Sequence, residues 1–335
     1  MRKVSVIGAG SWGCALAKVL ATNGNRVVVW SIVEAEVQML SEEHQHKDKL
    51  PGVILPETVT FTTNLKEAME GSELVVLAVP SIYTRSTAKS MAPCTAEGQV
   101  IVCVAKGIEE ATLMTISDVV EEEIPQANVA VMCGPSHAEE VGIGLPTTLV
   151  AGAHSSETAE MIQDIFMNEV LRVYTSSDML GMELGGSLKN VIALAAGMAD
   201  GMGYGDNSKA ALITRGIAEI ARLAIAMGAK PETLSGLTGI GDLIVTCQSK
   251  HSRNRRAGQL MGEGYTREQA TAEVKMVVEG IYSAKAALAL GQKYGVSLPI
   301  IEEVNKVLFE DKPAKTAVWD LMHRGRKSET GENAW

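Results

Sequence analysis

Near the start of the chain a short β-branched run, Lys3 to Ile7, leads straight into Gly8-Ala9-Gly10-Ser11-Trp12-Gly13, and Cys14 to Ala21 that follows has helical composition. A G-x-G-x-x-G run between a strand and a helix leaves few choices of fold. The first glycine permits a tight turn, the second admits a pyrophosphate to the backbone, and the third lets helix and strand pack closely. The helix N-terminus then faces the phosphates. Gly8, Gly10 and Gly13 are therefore expected to cradle a dinucleotide, and Arg26 to Trp30 supplies the second strand of the motif.

The alternation continues through strand-like Val59 to Thr62, Leu74 to Val79, Val100 to Val104 and Val129 to Met132, with helical segments between them. Repeated βαβ units predict an α/β fold: a doubly wound, mostly parallel, Rossmann-type sheet. Thr147 to Ala151 and Leu171 to Thr175 should extend it. From Asp178 onward strand signals fade, and runs at Gly181 to Ala199, Lys209 to Met227, Ser283 to Tyr294 and Ile300 to Phe309 predict an all-α second domain. The expected division is a dinucleotide-binding domain over residues 1–178 and a helical substrate-binding domain over residues 179–335.

Ligands of such sheets bind outside the carboxyl ends of the strands. An acidic residue at the end of the second strand would bind a ribose 2′-hydroxyl, but this strand ends in Trp30-Ser31-Ile32, and Glu34 is the first carboxylate. Ser31 is compatible with NAD or NADP. After later strands stand Val79-Pro80-Ser81, Ala105-Lys106-Gly107 and Cys133-Gly134-Pro135-Ser136. Lys106 offers a cation there, and Gly134 with Ser136 offers backbone and hydroxyl donors.

A net charge of −10 and only 4% aromatic residues argue against nucleic acid as a partner. The chain has no apolar run long enough to span a membrane, and the glycines and Lys18 break any signal-peptide core. Cys14, Cys94, Cys103, Cys133 and Cys247 are odd in number, widely spaced and mostly within apolar runs, which points to reduced thiols and a cytoplasmic protein. No zinc spacing occurs, no metal is expected, and His44 and His46 read as solvated. Two local basic clusters, His251 to Arg256 and Arg324 to Lys327, stand out against the acidic background.

One lysine is out of place. Lys189 lies in the long apolar helix that begins near Asp178, and its neighbours one turn away are Gly185, Gly186, Ile192 and Ala193, none of which can neutralise an ammonium. The two glycines leave backbone bare for close approach by another backbone or a ligand. Either Lys189 snorkels from the edge of a buried helix, or it is a proton-transfer group with a lowered pKa. Arg253 and Asn254 suit a phosphate or form a solvated basic turn. Asp242 holds Lys189 or a substrate hydroxyl, or else caps a helix.

Taken with Glu183 to Ala193, Ala211 to Gly216, Gly241-Asp242-Leu243, Ser252 to Arg256 and Val278-Glu279-Gly280, these motifs carry a likeness. The chain resembles NAD(P)-dependent glycerol-3-phosphate dehydrogenases of the bacterial type over essentially its full length. The resemblance implies interconversion of dihydroxyacetone phosphate and sn-glycerol 3-phosphate for phospholipid synthesis, with Lys189 catalytic. It puts Lys106, Gly134, Ser136, Lys189, Asn190, Asp242, Thr246, Ser252, Arg253 and Asn254 at the substrate. Ser11, Trp12, Lys106, Ala138, Arg253, Val277 and Glu279 fall near the cofactor. Ser31-Ile32 departs from the basic or polar residues that many members carry there, so both NAD and NADP stand. A homodimer is compatible with this picture.

Two other readings compete: a β-hydroxyacid or ketopantoate-type reductase, which would take a carboxylate substrate, and a non-enzymatic nucleotide sensor. The sensor would need neither Lys189 on an apolar helix nor the Arg253-Asn254 pair.

Overall fold

Eight strands form one sheet in the computed structural model, which describes residues 1–326, 328 and 329. They are β1 (Lys3–Ile7), β2 (Arg26–Trp30), β3 (Thr60–Thr62), β4 (Leu74–Leu77), β5 (Val100–Cys103), β6 (Asn128–Cys133), β7 (Thr147–Ala153) and β8 (Leu171–Ser176). Their spatial order is β3-β2-β1-β4-β5-β6-β7-β8, so the winding reverses between β1 and β4. That reversal opens a crevice at the carboxyl ends of the strands, the place where doubly wound sheets hold ligands. All pairs are parallel except β6 with β7, where the connection holds only the five-residue helix Ala138–Gly142.

The strands are near-continuous apolar runs because both faces of the sheet are covered. Alternation sorts them: Val4, Val6, Leu74, Val76, Val100 and Val102 enter one core, while Ile7, Val75, Leu77, Ile101 and Cys103 enter the other. Four of the five cysteines are buried and all are free, as their apolar settings suggested.

Beyond β8 the chain is helical, and Asp178 marks the change. Its carboxylate accepts from Gly181 N at 3.0 Å, Lys230 N at 2.9 Å and Thr233 Oγ1 at 2.5 Å, capping the Met179–Gly201 helix and tying it to a later loop. The four anticipated helices are present as Met179–Gly201, Asp206–Ala226, Glu279–Tyr294 and Pro299–Phe309. Asp242–Gln248, Arg253–Gly262, Arg267–Val274 and Ala314–Met322 are additional. Arg253–Gly262 and Arg267–Val274 are too polar to show a strong apolar stripe, and their signal lies in the caps Ser252 and Thr266. The basic stretch at 253–256 is thus the first turn of a helix and not a loop; Lys327 of the second basic cluster lies outside the described residues.

Met179–Gly201 is buried along nearly its whole length and is the axis of the helical domain. Glycines let Arg253–Gly262 lie almost backbone to backbone against it. A Cβ on Gly197 would come within 1.9 Å of the Arg255 carbonyl, one on Gly258 within 2.0 Å of the Leu194 carbonyl, and one on Gly262 within 2.3 Å of the Met198 carbonyl. This close crossing carries Ser252, Arg253 and Asn254 towards Lys189 and Asn190. Gly258→Ala should therefore cost roughly 1–3 kcal/mol through overpacking, and a thermal melt should fall by roughly 3–10 °C. An unchanged melt would mean that the two helices can separate freely.

Candidate active site

Three segments distant in sequence converge on one carboxylate. Asp242 is 1% exposed and opens the Asp242–Gln248 helix, directly after a π-helical turn at Leu237–Gly241. Such turns re-aim side chains locally. The turn nests on the long helix because Gly185 has no side chain: a Cβ there would lie 2.6 Å from the Thr238 carbonyl oxygen. Lys189 Nζ donates to Asp242 Oδ1 at 2.5 Å and to Thr246 Oγ1 at 2.6 Å. Lys106, at the carboxyl end of β5, donates to Asp242 Oδ2 at 2.7 Å, to the Gly134 carbonyl at 2.9 Å and to Ser136 Oγ at 3.1 Å. The Lys106 stem packs over Gly186, where its Cγ would be in ordinary contact, at 3.5 Å, with a Cβ.

The expectation that Lys189 has no carboxylate partner is therefore corrected. Its own helix offers none, but Asp242 arrives from 53 residues away. Asp242 in turn is not a helix cap, since its side chain makes no capping bond and both oxygens go to lysines.

Burial lowers the pKa of Lys189, Asp242 pulls it back up and Lys106 lowers it again, leaving it at about 8. Burial would raise the Asp242 carboxyl, but Lys106 and Lys189 outweigh it and hold the group below its ordinary value. Two ammoniums share one carboxylate, so the cluster keeps one unbalanced positive charge in a desolvated cleft. The Lys106 side chain, 15% exposed, is the more accessible of the two. An anion or a developing alkoxide would be stabilised there.

A second set of polar contacts flanks the first. Asn254 Nδ2 donates to Asn190 Oδ1 at 3.0 Å, and Asn254 Oδ1 accepts from Gly280 N at 2.8 Å. That amide is largely committed to holding two helices together, which narrows its expected part in binding phosphate. Ser252 is likewise spent as an N-cap, accepting from Arg255 N at 3.2 Å. Arg253 keeps an exposed face, yet the protein around its guanidinium desolvates it and holds its pKa below the ordinary value, with the carboxylates of Glu279 and Glu139 pulling it back up. Glu279 accepts from Ser81 N at 3.1 Å and from the Ser81 hydroxyl, a clasp between the loop after β4 and the helical domain. Val277 is half-buried just before it.

The glycine loop fits a dinucleotide. Gly8 has φ +119° and would clash with the Ala78 backbone if it carried a Cβ, and a Cβ on Gly13 would meet the Gly8 carbonyl at 2.0 Å. A Cβ on Gly10 would meet nothing within 4 Å, so the space above it is open to a ligand. Ser11 begins the Ser11–Thr22 helix, Trp12 packs partly on the sheet core, and buried Ala138 starts the short helix after β6.

At the end of β2 the outcome differs from expectation. Ser31 is buried and donates to Glu36 Oε2 at 2.8 Å. Glu36, and not exposed Glu34, is the carboxylate there, and Lys49 pairs with it. His46 is buried beside Glu36 rather than solvated, with Nε2 3.6 Å from Oε1. The reason is chain geometry: the loop of residues 44–50 folds back over the first turn of the Glu34–Glu43 helix that precedes it, which no local pattern announces. Among the described residues no group of three metal-binding side chains occurs.

Asp242→Asn should lower the Lys189 pKa further below about 8, because it removes the one nearby carboxylate and leaves Lys106. An NMR titration of the lysine Cε resonances checks this, and a midpoint that rises would contradict the electrostatic account.

The site and fold can be set beside known proteins. Residues 3–159 match the model of the NAD-dependent glycerol-3-phosphate dehydrogenase N-terminus, and residues 178–319 match that of its C-terminus. A glycerol-3-phosphate dehydrogenase [NAD(P)+] of Agathobacter rectalis is 72% identical over 335 residues, covering 100% of both chains. One from Bacillus subtilis is 50% identical, over 98% of this chain and 96% of the relative. The crystal structure of glycerol-3-phosphate dehydrogenase from Coxiella burnetii superposes with a TM-score of 0.93 at 37% identity, covering 96% of this chain and 99% of that one. With the same two-part match along its length and relatives this similar, the chain belongs to the NAD-dependent glycerol-3-phosphate dehydrogenase family.

Proposed function

We propose that this protein is an oxidoreductase that interconverts dihydroxyacetone phosphate and sn-glycerol 3-phosphate with NAD(P)H, in the cytoplasm, supplying glycerol 3-phosphate for phospholipid synthesis. The observation that carries the reading is the Lys106–Asp242–Lys189 cluster in the cleft between sheet and helices. Residues 1–178 would bind the cofactor and residues 179–335 would supply most of the substrate site. The nicotinamide cofactor, when bound, supplies or accepts the hydride.

The chain's own groups do the rest. As hydride reaches the ketone carbon, Lys189 donates a proton to the ketone oxygen; in reverse, neutral Lys189 removes the hydroxyl proton. Asp242 and Thr246 hold its ammonium in one position, and Lys106 adds a second positive charge that stabilises the alkoxide. Arg253, whose guanidinium has no hydrogen-bond partner among the described residues, reads the phosphate. The paired Glu36 and Lys49 at the end of β2 offer an acceptor for ribose hydroxyls and a cation for a 2′-phosphate, which supports use of either cofactor.

A ketopantoate reductase from Ralstonia eutropha shares the fold with a TM-score of 0.62 at 18% identity. That likeness concerns architecture. Oxidation of NADH and NADPH measured against dihydroxyacetone phosphate, 2-ketopantoate and tartronate semialdehyde separates the readings; turnover of a carboxylate but not the phosphate would overturn ours.

Lys189→Met should leave the protein folded and able to bind NADH while kcat drops by roughly 10²- to 10⁴-fold. In the wild type, ketone reduction needs the protonated lysine, so its rate should fall as pH rises through about 8, and the reverse reaction should gain over the same interval. A pH profile flat from 7 to 9 in both directions, read at about the lysine's value, would remove Lys189 from proton transfer.

Arg253→Ala should raise KM for dihydroxyacetone phosphate at least about tenfold through loss of charge-assisted bonds. Unphosphorylated dihydroxyacetone should be much less affected. Equal losses for both would show that Arg253 does not read the phosphate.

A further inference from the structure

The segment that follows Lys106 is stitched to the sheet and to the helical domain in turn. Gly107 lies directly on the loop after β4: a Cβ there would come within 2.3 Å of the Ser81 Cβ. Ile108, 3% exposed, turns the other way and is buried in the core of the helical domain. Every other buried member of that core among the described residues stands at position 184 or later, so Ile108 is a contribution from the sheet side. Glu109 turns back, and its carboxylate takes a two-pronged bond from Arg85 in the Thr84–Met91 helix, Nε to Oε1 at 2.8 Å and Nη2 to Oε2 at 2.7 Å. Glu110 then pairs with Lys285 of the Glu279–Tyr294 helix at 3.3 Å.

The rest of the turn keeps this order. Ile108 bridges to Thr115 in antiparallel register, and Glu109 N donates to the Met114 carbonyl at 3.0 Å. Leu113 holds φ +62°, a left-handed conformation that a leucine keeps only where its surroundings impose it, and it packs against the same helical core.

Lys106 stands two residues before Ile108, and two residues of extended chain span at most about 7 Å. Its ammonium has three donors, and all are spent: on the Gly134 carbonyl and the Ser136 hydroxyl beside the sheet, and on Asp242 in the helical domain. A lysine arm is flexible and does not by itself keep a bond across such a junction. Its reach is limited by where its backbone is fixed, and the nearest point along the chain that is buried in the helical core is Ile108.

We propose that Ile108 is a positioning residue for Lys106: lodged in the helical core, it fixes how far the lysine reaches from the end of β5 to Asp242. Arg85 holds the next residue against the sheet and completes the setting. The consequence for turnover rests on the dihydroxyacetone phosphate reading given above, whereas the placement of Lys106 does not.

Ile108→Ala removes the anchor and leaves Lys106 itself intact. Lys106 should then retreat from Asp242, its repulsion of Lys189 should weaken, and the Lys189 midpoint should rise above about 8. An NMR titration of the lysine Cε resonances reads that shift without turnover. With dihydroxyacetone phosphate, kcat/KM should fall by roughly ten- to a hundredfold, the loss expected when a reacting group is displaced by about 1 Å. The pH at which reduction declines should move up with the NMR midpoint. Lys106→Met should raise the midpoint by itself, and adding Ile108→Ala to it should change neither the midpoint nor kcat/KM further, because the two act through one group. Arg85→Lys keeps the charge but loses the two-pronged bond; it should shift the midpoint in the same direction, and it gives the readout if the alanine variant does not fold. A lower melting temperature with an unchanged midpoint would reduce Ile108 to a packing role and overturn the assignment, as would losses that add in full on the Lys106→Met background. If the wild type does not reduce dihydroxyacetone phosphate, the functional reading fails, and the NMR titrations still decide this one.

Discussion

The carboxylate of Asp242, shared between Lys106 and Lys189, is the interaction on which the rest of the cleft depends. Either lysine alone beside a buried carboxylate would make a neutral pair. Two lysines around one carboxylate leave a net positive charge where water is scarce, and such a charge would stabilise an anion or a developing alkoxide there. Buried charges are costly unless paired, and removing one partner from such a pair typically costs about 3–5 kcal/mol. The arrangement therefore constrains three segments at once: the carboxyl end of β5, the centre of the Met179–Gly201 helix and the turn that launches Asp242. Thr246, one helical turn after Asp242, bonds both Lys189 and the Asp242 carbonyl and so limits the remaining freedom.

Glycines decide how near these segments can come. Gly185 admits the Thr238 backbone, Gly197 and Gly258 admit carbonyls of the opposing helix, and Gly280 admits the Asn190 carbonyl, whose oxygen would lie 2.5 Å from a Cβ. The helical domain is thus packed backbone to backbone around its central helix, and the polar residues on that helix gain partners that longer side chains would have kept away. Each such glycine weakens a helix by about 1 kcal/mol relative to alanine. The contacts they permit offset that loss.

Two polar clasps fix the helical domain to the sheet. Glu279 takes both donors of Ser81, and Glu183 takes the backbone N of Ser117 at 2.9 Å and its hydroxyl at 2.5 Å. Burial raises both carboxyl pKa values, to about 7 for Glu183, while the serine donors pull them down. These clasps tie the Met179–Gly201 and Glu279–Tyr294 helices to the segments that follow β5 and β4. The Asn190–Asn254–Gly280 chain extends the same order inward, so residues expected to touch substrate directly serve partly to position others.

Sequence alone determined the parts that depend on local rules. G-x-G-x-x-G between strand and helix, the succession of apolar strands and the loss of strand signal near Asp178 specified the sheet and the helices after it, because backbone φ, two-residue alternation and helical periodicity are written within a few residues. It also marked Lys189 as an ammonium that its own helix could not neutralise. What it could not contain was the neutraliser. Asp242 and Thr246 reach Lys189, and Lys106 reaches Asp242, only through tertiary packing, His46 and Lys49 reach Glu36 only because a loop folds back, and the ring of His137 meets that of His251 only in the folded chain. Charge pairing and orphaned polar atoms are properties of distance in space, and distance in space between remote segments is set by the packed glycines and cores, not by any pattern that a single stretch of chain displays.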